Sequence, residues 1–223
     1  MFEGFSQGTV DFLWGLCLNN ERSWFQAHRE EFHTLVDTPL RALATQVGTA
    51  MIESYPKLGL EVKISRIYRD ARRLYGRGPY KDHLWFSLRR PSEQEGSVPS
   101  FYFGISAQCY SYGMGCYDPT PATMAKLRAR IDRNPKPLAR LARQVEQRGE
   151  FRLDGPEYKR PKGDPGPLLY PWYNRKQIDL CHDDSCKGIF FTPQLAEQVL
   201  EGFRFLVPCY LYLRDVTGDS APV

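Results

Sequence analysis

The chain has 223 residues, 42% of them hydrophobic and 25% charged, with a formal net charge of +4. That size and balance exclude a disordered chain and fit a globular fold with a sizeable core. No apolar run is long enough to cross a membrane, and MFEGFSQGTVDF lacks the basic and apolar regions of a secretory signal, so a soluble, cytoplasmic protein with no membrane association is expected.

The charge is not spread evenly. Residues 63–90 hold nine basic and two acidic side chains, and residues 126–162 hold twelve and five. The segments around them are net acidic. If the fold joins the two basic segments, they form a surface that attracts anions.

In chain order, Ser6 or Thr9 is placed to cap a first helix carrying Phe12, Leu13 and Leu16, and Asn20 to cap a second. Trp24, His28, Phe32, Leu35 and Val36 repeat at three- and four-residue spacing, a buried stripe in which His28 reads as a hydrogen-bonded core histidine. Pro39 should kink or break this helix, with Leu40, Leu43, Val47 and Met51 continuing a stripe beyond it. VKISRIYR, HLWFSL and SFYFGIS then alternate with a period of two, and CYSYGM offers a fourth strand. The polar run RPSEQEGSVPS joins the second and third strands as a hairpin.

GMGCYDP reads as a tight turn before a helix capped by Thr120 and opened by Pro121. Met124, Leu127 and Ile131 form that helix's buried stripe. Arg128 lies on or beside it and therefore needs an anionic partner or a ligand. A further helix is expected from Pro137 to Arg148. Residues 154–173 carry five prolines and three glycines and read as extended and turn-rich. A last strand is expected over Lys176 to Cys181. The C-terminal helix, from Pro193 to Leu213, carries Leu195, Val199, Leu200, Phe203 and Leu206, and Pro208 should break it.

The order of elements predicts a single α+β domain over residues 1–223 with a mostly antiparallel sheet of about four to six strands. Residues 1–55 form a helical N-terminal part, 61–115 the sheet and 121–148 a second helical part. The extended segment 154–173 and the helix at 193–213 follow, and helices from both ends of the chain pack on the sheet.

Four motifs, in this order, resemble those of a microbial family, domain of unknown function 2461. FLWGLCLNNERSWFQAHREEF is similar to its opening. IYRDARRLYGRGPYKDH resembles its Tyr-Arg-Asp-x-Arg…Pro-Tyr-Lys-x-His signature, GMGCYDP its Gly-x-Gly-x-Tyr-x-Pro segment, and YKRPKGDPGPLLYPWYNRKQ its late Lys-Arg-x-Pro-Lys-Gly segment. The chain departs from the family at Arg73–Gly78, where the family reads Phe-Ser-Lys-Asp-Lys-Thr. The resemblance implies no activity.

Three functions fit the residues. The first is a basic cleft binding a small anionic ligand, phosphate or carboxylate. Arg66, Tyr68, Arg69, Asp70, Arg72, Tyr102, Arg128 and Lys176 would bind it, and His83, Lys81 and Tyr80 would supply any acid–base chemistry. The second is a single-stranded nucleic-acid surface, with basic groups among Tyr68, Tyr75, Tyr80, Tyr158, Trp172 and Tyr173. The third is a structural or partner-binding protein in which Arg69 or Arg72 pairs internally with Asp70 or Asp82. No cofactor is expected. The six cysteines read as free thiols, Cys116 is a distant nucleophile candidate, and Cys181, His182 and Cys186 form an incomplete metal set.

Overall fold

The computed structural model describes residues 1–70, 72, 77–91 and 98–218. The strands form one six-stranded sheet in the order β1-β2-β3-β4-β6-β5, where β1 is Glu61–Ile64, β2 His83–Arg89, β3 Ser100–Ser106, β4 Cys109–Cys116, β5 Arg152–Asp154 and β6 Ile178–Ser185. The sheet is antiparallel and the fold is α+β, as the order of elements predicts. By internal contacts the chain forms two compact units. The first holds 1–89, 102–112 and 183–201, and the second holds 90–101, 113–182 and 202–223.

In the first unit, α1 (Gln7–Leu18) starts at Ser6. The Ser6 hydroxyl accepts the Thr9 N–H, and the Thr9 hydroxyl accepts the Ser6 N–H, a reciprocal cap. Asn20 does not cap α2 (Arg22–Ala27), which begins after Glu21 with no side-chain cap. The Asn20 amide is committed elsewhere, as described below. α3 (Arg29–Phe32) runs into a π turn, His33–Asp37, and then into α4, Thr38–Ser54.

Pro39 therefore does not break the run into separate pieces; it sits in the first turn of α4, directly after the π turn. In a continuous α-helix the Leu35 carbonyl would accept the N–H of residue 39, which proline lacks. The Thr9 hydroxyl donates to that carbonyl instead, at 2.6 Å, from a fully buried position. The donor comes from another helix, so the helix tolerates its proline.

Sheet alternation is read correctly in β2 and β3. Leu84, Phe86 and Leu88, and Phe101, Phe103 and Ile105, are all buried. β1 is shorter than the predicted strand: its ladder to β2 ends at Ile64, the Ser65 N–H still donates to Trp85 O at 2.8 Å, and an isolated bridge then joins Tyr68 to Tyr80. Tyr110 and Tyr112 on β4 are fully buried, and Gln198 donates to the Tyr112 hydroxyl at 2.9 Å.

GMGCYDP is not a turn over its first half, because Gly113, Met114 and Gly115 belong to β4. A Cβ at Gly113 would lie 2.0 Å from the Leu180 carbonyl oxygen, and one at Gly115 would lie 2.8 Å from Ile178 O. These glycines allow close approach of the β6 backbone.

In the second unit, Thr120 caps α5 (Pro121–Arg133) by accepting the Thr123 N–H at 3.1 Å, and Met124, Leu127 and Ile131 are buried. α6 (Lys136–Arg148) ends at Gly149 with φ +66°. A short edge strand, β5, pairs antiparallel with β6 and was not expected. A one-turn helix, α7 (Tyr170–Tyr173), closes the extended segment. The predicted last strand lies further on, at Ile178–Ser185. α8 spans Gln194–Thr217 without a break and holds Pro208 inside it. Proline removes one hydrogen bond, and Leu206, Val207, Cys209 and Tyr210 are buried on both sides of it. Among the described residues no helix is long and apolar enough to cross a membrane.

Candidate functional site

The Tyr68–His83 signature is held by a side chain that acts as backbone. Asn20 Nδ2 donates to the Tyr80 carbonyl at 3.0 Å, and the Tyr80 N–H donates to Asn20 Oδ1 at 2.9 Å. The Arg69 N–H donates to Pro79 O and the Lys81 N–H to Ile67 O, so the chain doubles back around the Tyr68–Tyr80 bridge. Tyr80 is 2% exposed and stacks on Phe25 at 4.2 Å. Burial, reinforced by Tyr68, raises its phenol pKa. Tyr80 is thus a core residue, while Tyr68 is exposed.

Most of the charged groups here satisfy one another. Arg69 Nε donates to Tyr80 O at 2.7 Å and its Nη2 pairs with Asp82 at 3.0 Å. Asp82 also receives His83 Nδ1 at 2.8 Å. Burial works to raise the Asp82 carboxyl, but the His83 hydrogen bond and the Arg69 charge outweigh it and hold the group below its ordinary range. Arg72 grips Asp70 with two side-chain nitrogens, at 3.0 and 2.9 Å. Lys81 Nζ donates to Arg66 O at 2.7 Å and lies 4.4 Å over the Trp85 ring, against which His83 also stacks. Arg66 is exposed and Tyr102 half-buried. Arg73–Gly76, most of the departure from the family pattern, lie outside the described residues.

The depressed Asp82 carboxyl sets a pH window. Its ion pairs contribute stability in full above the ordinary aspartate value of about 4, and that contribution is lost as pH falls through the lower folded value. Because Asp82 is half exposed, the gain is below about 1 kcal/mol. Unfolding of wild type and Asp82→Asn should therefore differ at neutral pH and converge near pH 2. A gap that stays constant down to about pH 2 would refute the assignment.

Arg128 and Lys176 lie in the second unit. The cations flanking Arg128 on α5 are occupied. Lys126 donates to Thr217 O at 2.9 Å, and Arg130 to Tyr212 O and Asp215 O at 3.2 and 2.9 Å, at the carbonyl end of α8. Arg128 differs. Its guanidinium lies 5.4 Å over the Tyr158 ring, and its Nη1 is buried with no hydrogen-bond partner among the described residues. Lys162 Nζ lies 4.9 Å over the same ring.

Backbone pairing fixes the frame. Glu157 and Arg175 form an antiparallel bridge flanked by Tyr158 N–H to Asn174 O and Lys176 N–H to Pro156 O. That pattern points Glu157 and Arg175 to one side, where they pair at 3.4 Å. It points Tyr158, Asn174 and Lys176 to the other. Asn174, 4% exposed, sets the Lys-Arg-Pro-Lys-Gly loop. Its Oδ1 accepts the Lys162 N–H at 2.6 Å, and its Nδ2 donates to Gly163 O and Tyr170 O at 3.0 and 3.1 Å. The Tyr173 hydroxyl donates to Asp132 at 2.9 Å, one helical turn from Arg128. Burial and then Asp132 raise the Tyr173 phenol, and Arg128 pulls it back.

The structure therefore sets Arg128 and Lys162 against the Tyr158 ring, with Lys176 on the Tyr158 side of the same bridge and Asn174 holding the loop. Neither Lys162 nor Asn174 is among the anion-site residues expected from the sequence, and Tyr158 is expected there only as a stacking ring for nucleic acid. Residues 66–83 and Tyr102 belong to the first unit. Cys116 is buried, and burial, with Asp179, pushes its thiol up to about 12, so it stays protonated. Among the described residues no group of three or more His, Cys, Asp or Glu is arranged to hold a metal.

An α+β chain with a loop of basic and aromatic residues held over a helix face defines a class by architecture alone. The family is more specific. The profile of the conserved hypothetical protein family DUF2461 matches residues 8–212, and the chain belongs to that family. Comparison with curated proteins finds no match.

Proposed function

We propose that this protein binds a small anionic ligand, a phosphate or a carboxylate, with Arg128, Lys162 and Lys176 around Tyr158. The observation that carries this reading is the buried Arg128 Nη1 with no partner among the described residues. A buried, unpaired guanidinium N–H is costly, and a carboxylate or phosphate oxygen satisfies it with matched geometry. Lys162 is held in place by Asn174, and Lys176 emerges on the same side of the ladder, so three positive charges face one ligand. Asp132 is engaged by Tyr173. Trp172 and Tyr173 are buried and Tyr158 is flanked by two cations, which supports a small ligand over base stacking on these rings.

The test is calorimetric titration and thermal shift with inorganic phosphate, citrate and a single-stranded oligonucleotide, on wild type and Arg128→Met. Methionine keeps much of the packing on Tyr158 and removes the charge. Phosphate or citrate affinity should fall about tenfold or more, a loss of about 1.4 kcal/mol or more. Stability without ligand should hold or rise, because the removed donor had no partner. Equal phosphate and citrate binding by both proteins, or binding of the oligonucleotide alone, would overturn the reading.

A further inference from the structure

Two cysteines outside the anion site converge on one residue of the first unit. Ser106 ends β3. Its Oγ lies 3.5 Å from Cys109 Sγ, accepts the Cys109 N–H at 3.2 Å and donates to Cys109 O at 3.0 Å. The Cys186 thiol donates to the carbonyl of the same Ser106 at 3.7 Å. Cys109 opens β4 and Cys186 follows the last residue of β6. Those strands are neighbours in an antiparallel sheet, so the start of one lies beside the end of the other. Neighbouring strands run about 4.8 Å apart, within the range of Cα separations a disulfide spans.

The two thiols also differ in a useful way. Cys109 is exposed, and Cys186 is buried, at 9% exposure. Burial, Cys109 and then Asp184 raise the Cys186 thiol to about 11, so Cys186 is a poor first nucleophile and Cys109 is the accessible one.

We propose that Cys109 and Cys186 form a reversible disulfide, with Cys109 the site of attack by a hydroperoxide and Cys186 the resolving thiol. In the first step the Cys109 thiolate displaces hydroxide from hydrogen peroxide, breaking the O–O bond and leaving a sulfenic acid, and the hydroxide takes up a proton as water. In the second step the Cys186 sulfur attacks the Cys109 sulfur, the S–S bond forms, and water leaves with the Cys186 proton. Peroxide is reduced to water and the two thiols are oxidised together. The product ties the start of β4 to the end of β6 at the sheet end away from the glycine pair.

Peptide mapping by mass spectrometry without reductant, after exposure of the full chain to hydrogen peroxide, tests this. A linked pair of peptides carrying Cys109 and Cys186, lighter by two hydrogens and restored by a dithiol, is expected. The pair must vanish in Cys109→Ser and in Cys186→Ser, with circular dichroism confirming that each variant is folded. In Cys186→Ser, Cys109 should instead accumulate as sulfenic or sulfinic acid. The proposal is overturned if wild-type Cys109 over-oxidises while Cys186 remains open to alkylation. It is also overturned if Cys109 joins a different cysteine or a second copy of the chain.

Discussion

Replacing Gly113 with alanine will destabilise the protein by about 3 kcal/mol or more and lower its melting temperature by about 10 °C. The added Cβ would sit 2.0 Å from Leu180 O, 3.0 Å from Leu180 C and 3.1 Å from Cys181 Cα. All three are backbone atoms of β6, so no rotamer change relieves the overlap, and the strands must separate. Gly104 supplies the control. It also lies inside a strand, but a Cβ there meets its nearest atoms at 3.6–3.7 Å, ordinary contact distances. Gly104→Ala should be neutral or slightly stabilising, by up to about 1 kcal/mol, since it restricts the unfolded chain without a clash. Denaturant midpoints of the two variants measure the difference. Equal midpoints would show that the strands do not approach as closely as described.

The second large effect is expected at Asn174, where stability and binding should fall together. The side chain is buried and its three hydrogen bonds hold Lys162, Gly163 and Tyr170. Asn174→Ala leaves one amide and two carbonyls without that partner and opens a small cavity, a cost of about 3 kcal/mol. Asn174→Asp should be no better, because a carboxylate keeps the acceptor for the Lys162 N–H but cannot donate to either carbonyl. Released from Asn174, the loop no longer holds Lys162 over Tyr158, so phosphate binding should weaken as well. Arg128→Met should lower binding while leaving stability intact. Thermal melts with and without phosphate on the two variants therefore separate the residue that shapes the loop from the one proposed to hold the anion. An Asn174→Ala protein as stable as wild type would remove this residue from the account.

What could be read from the sequence was local. Ser6 and Thr120 are caps because a hydroxyl before an apolar stripe satisfies orphan N–H groups in its own neighbourhood. The alternation in HLWFSL and SFYFGIS carries its own register. The readings that failed depend on atoms far along the chain. Pro39 reads as a kink or a break, yet the helical run continues through it, and Thr9, 26 residues before Leu35, donates to the Leu35 carbonyl that proline leaves open. Asn20 has the chemistry of a cap, yet its partner is the backbone of Tyr80. Gly113 and Gly115 read as a turn because their need for a missing Cβ arises only when β6 packs beside β4. Arg128 was legible as an arginine out of place on an apolar stripe. That its neighbours Lys126 and Arg130 have carbonyl partners, and that the Arg128 Nη1 has none among the described residues, is visible only once α8 is in position.

The paired hydrogen bonds between Asn20 and Tyr80 have a consequence for how this chain can vary. They join the corner between the first two helices to the Pro-Tyr-Lys end of the Tyr-Arg-Asp…Pro-Tyr-Lys segment, 60 positions later. Gly78 packs against the same asparagine so closely that a Cβ there would lie 2.3 Å from it. The corner is thus a fitted part with a fixed residue count, although it resembles an ordinary helix–helix connection. Adding or removing one residue at Asn19–Glu21 would shift the amide off Tyr80, and the strain would emerge in a segment with no sequence neighbour at the change. Insertions that most surface loops absorb are closed to this one.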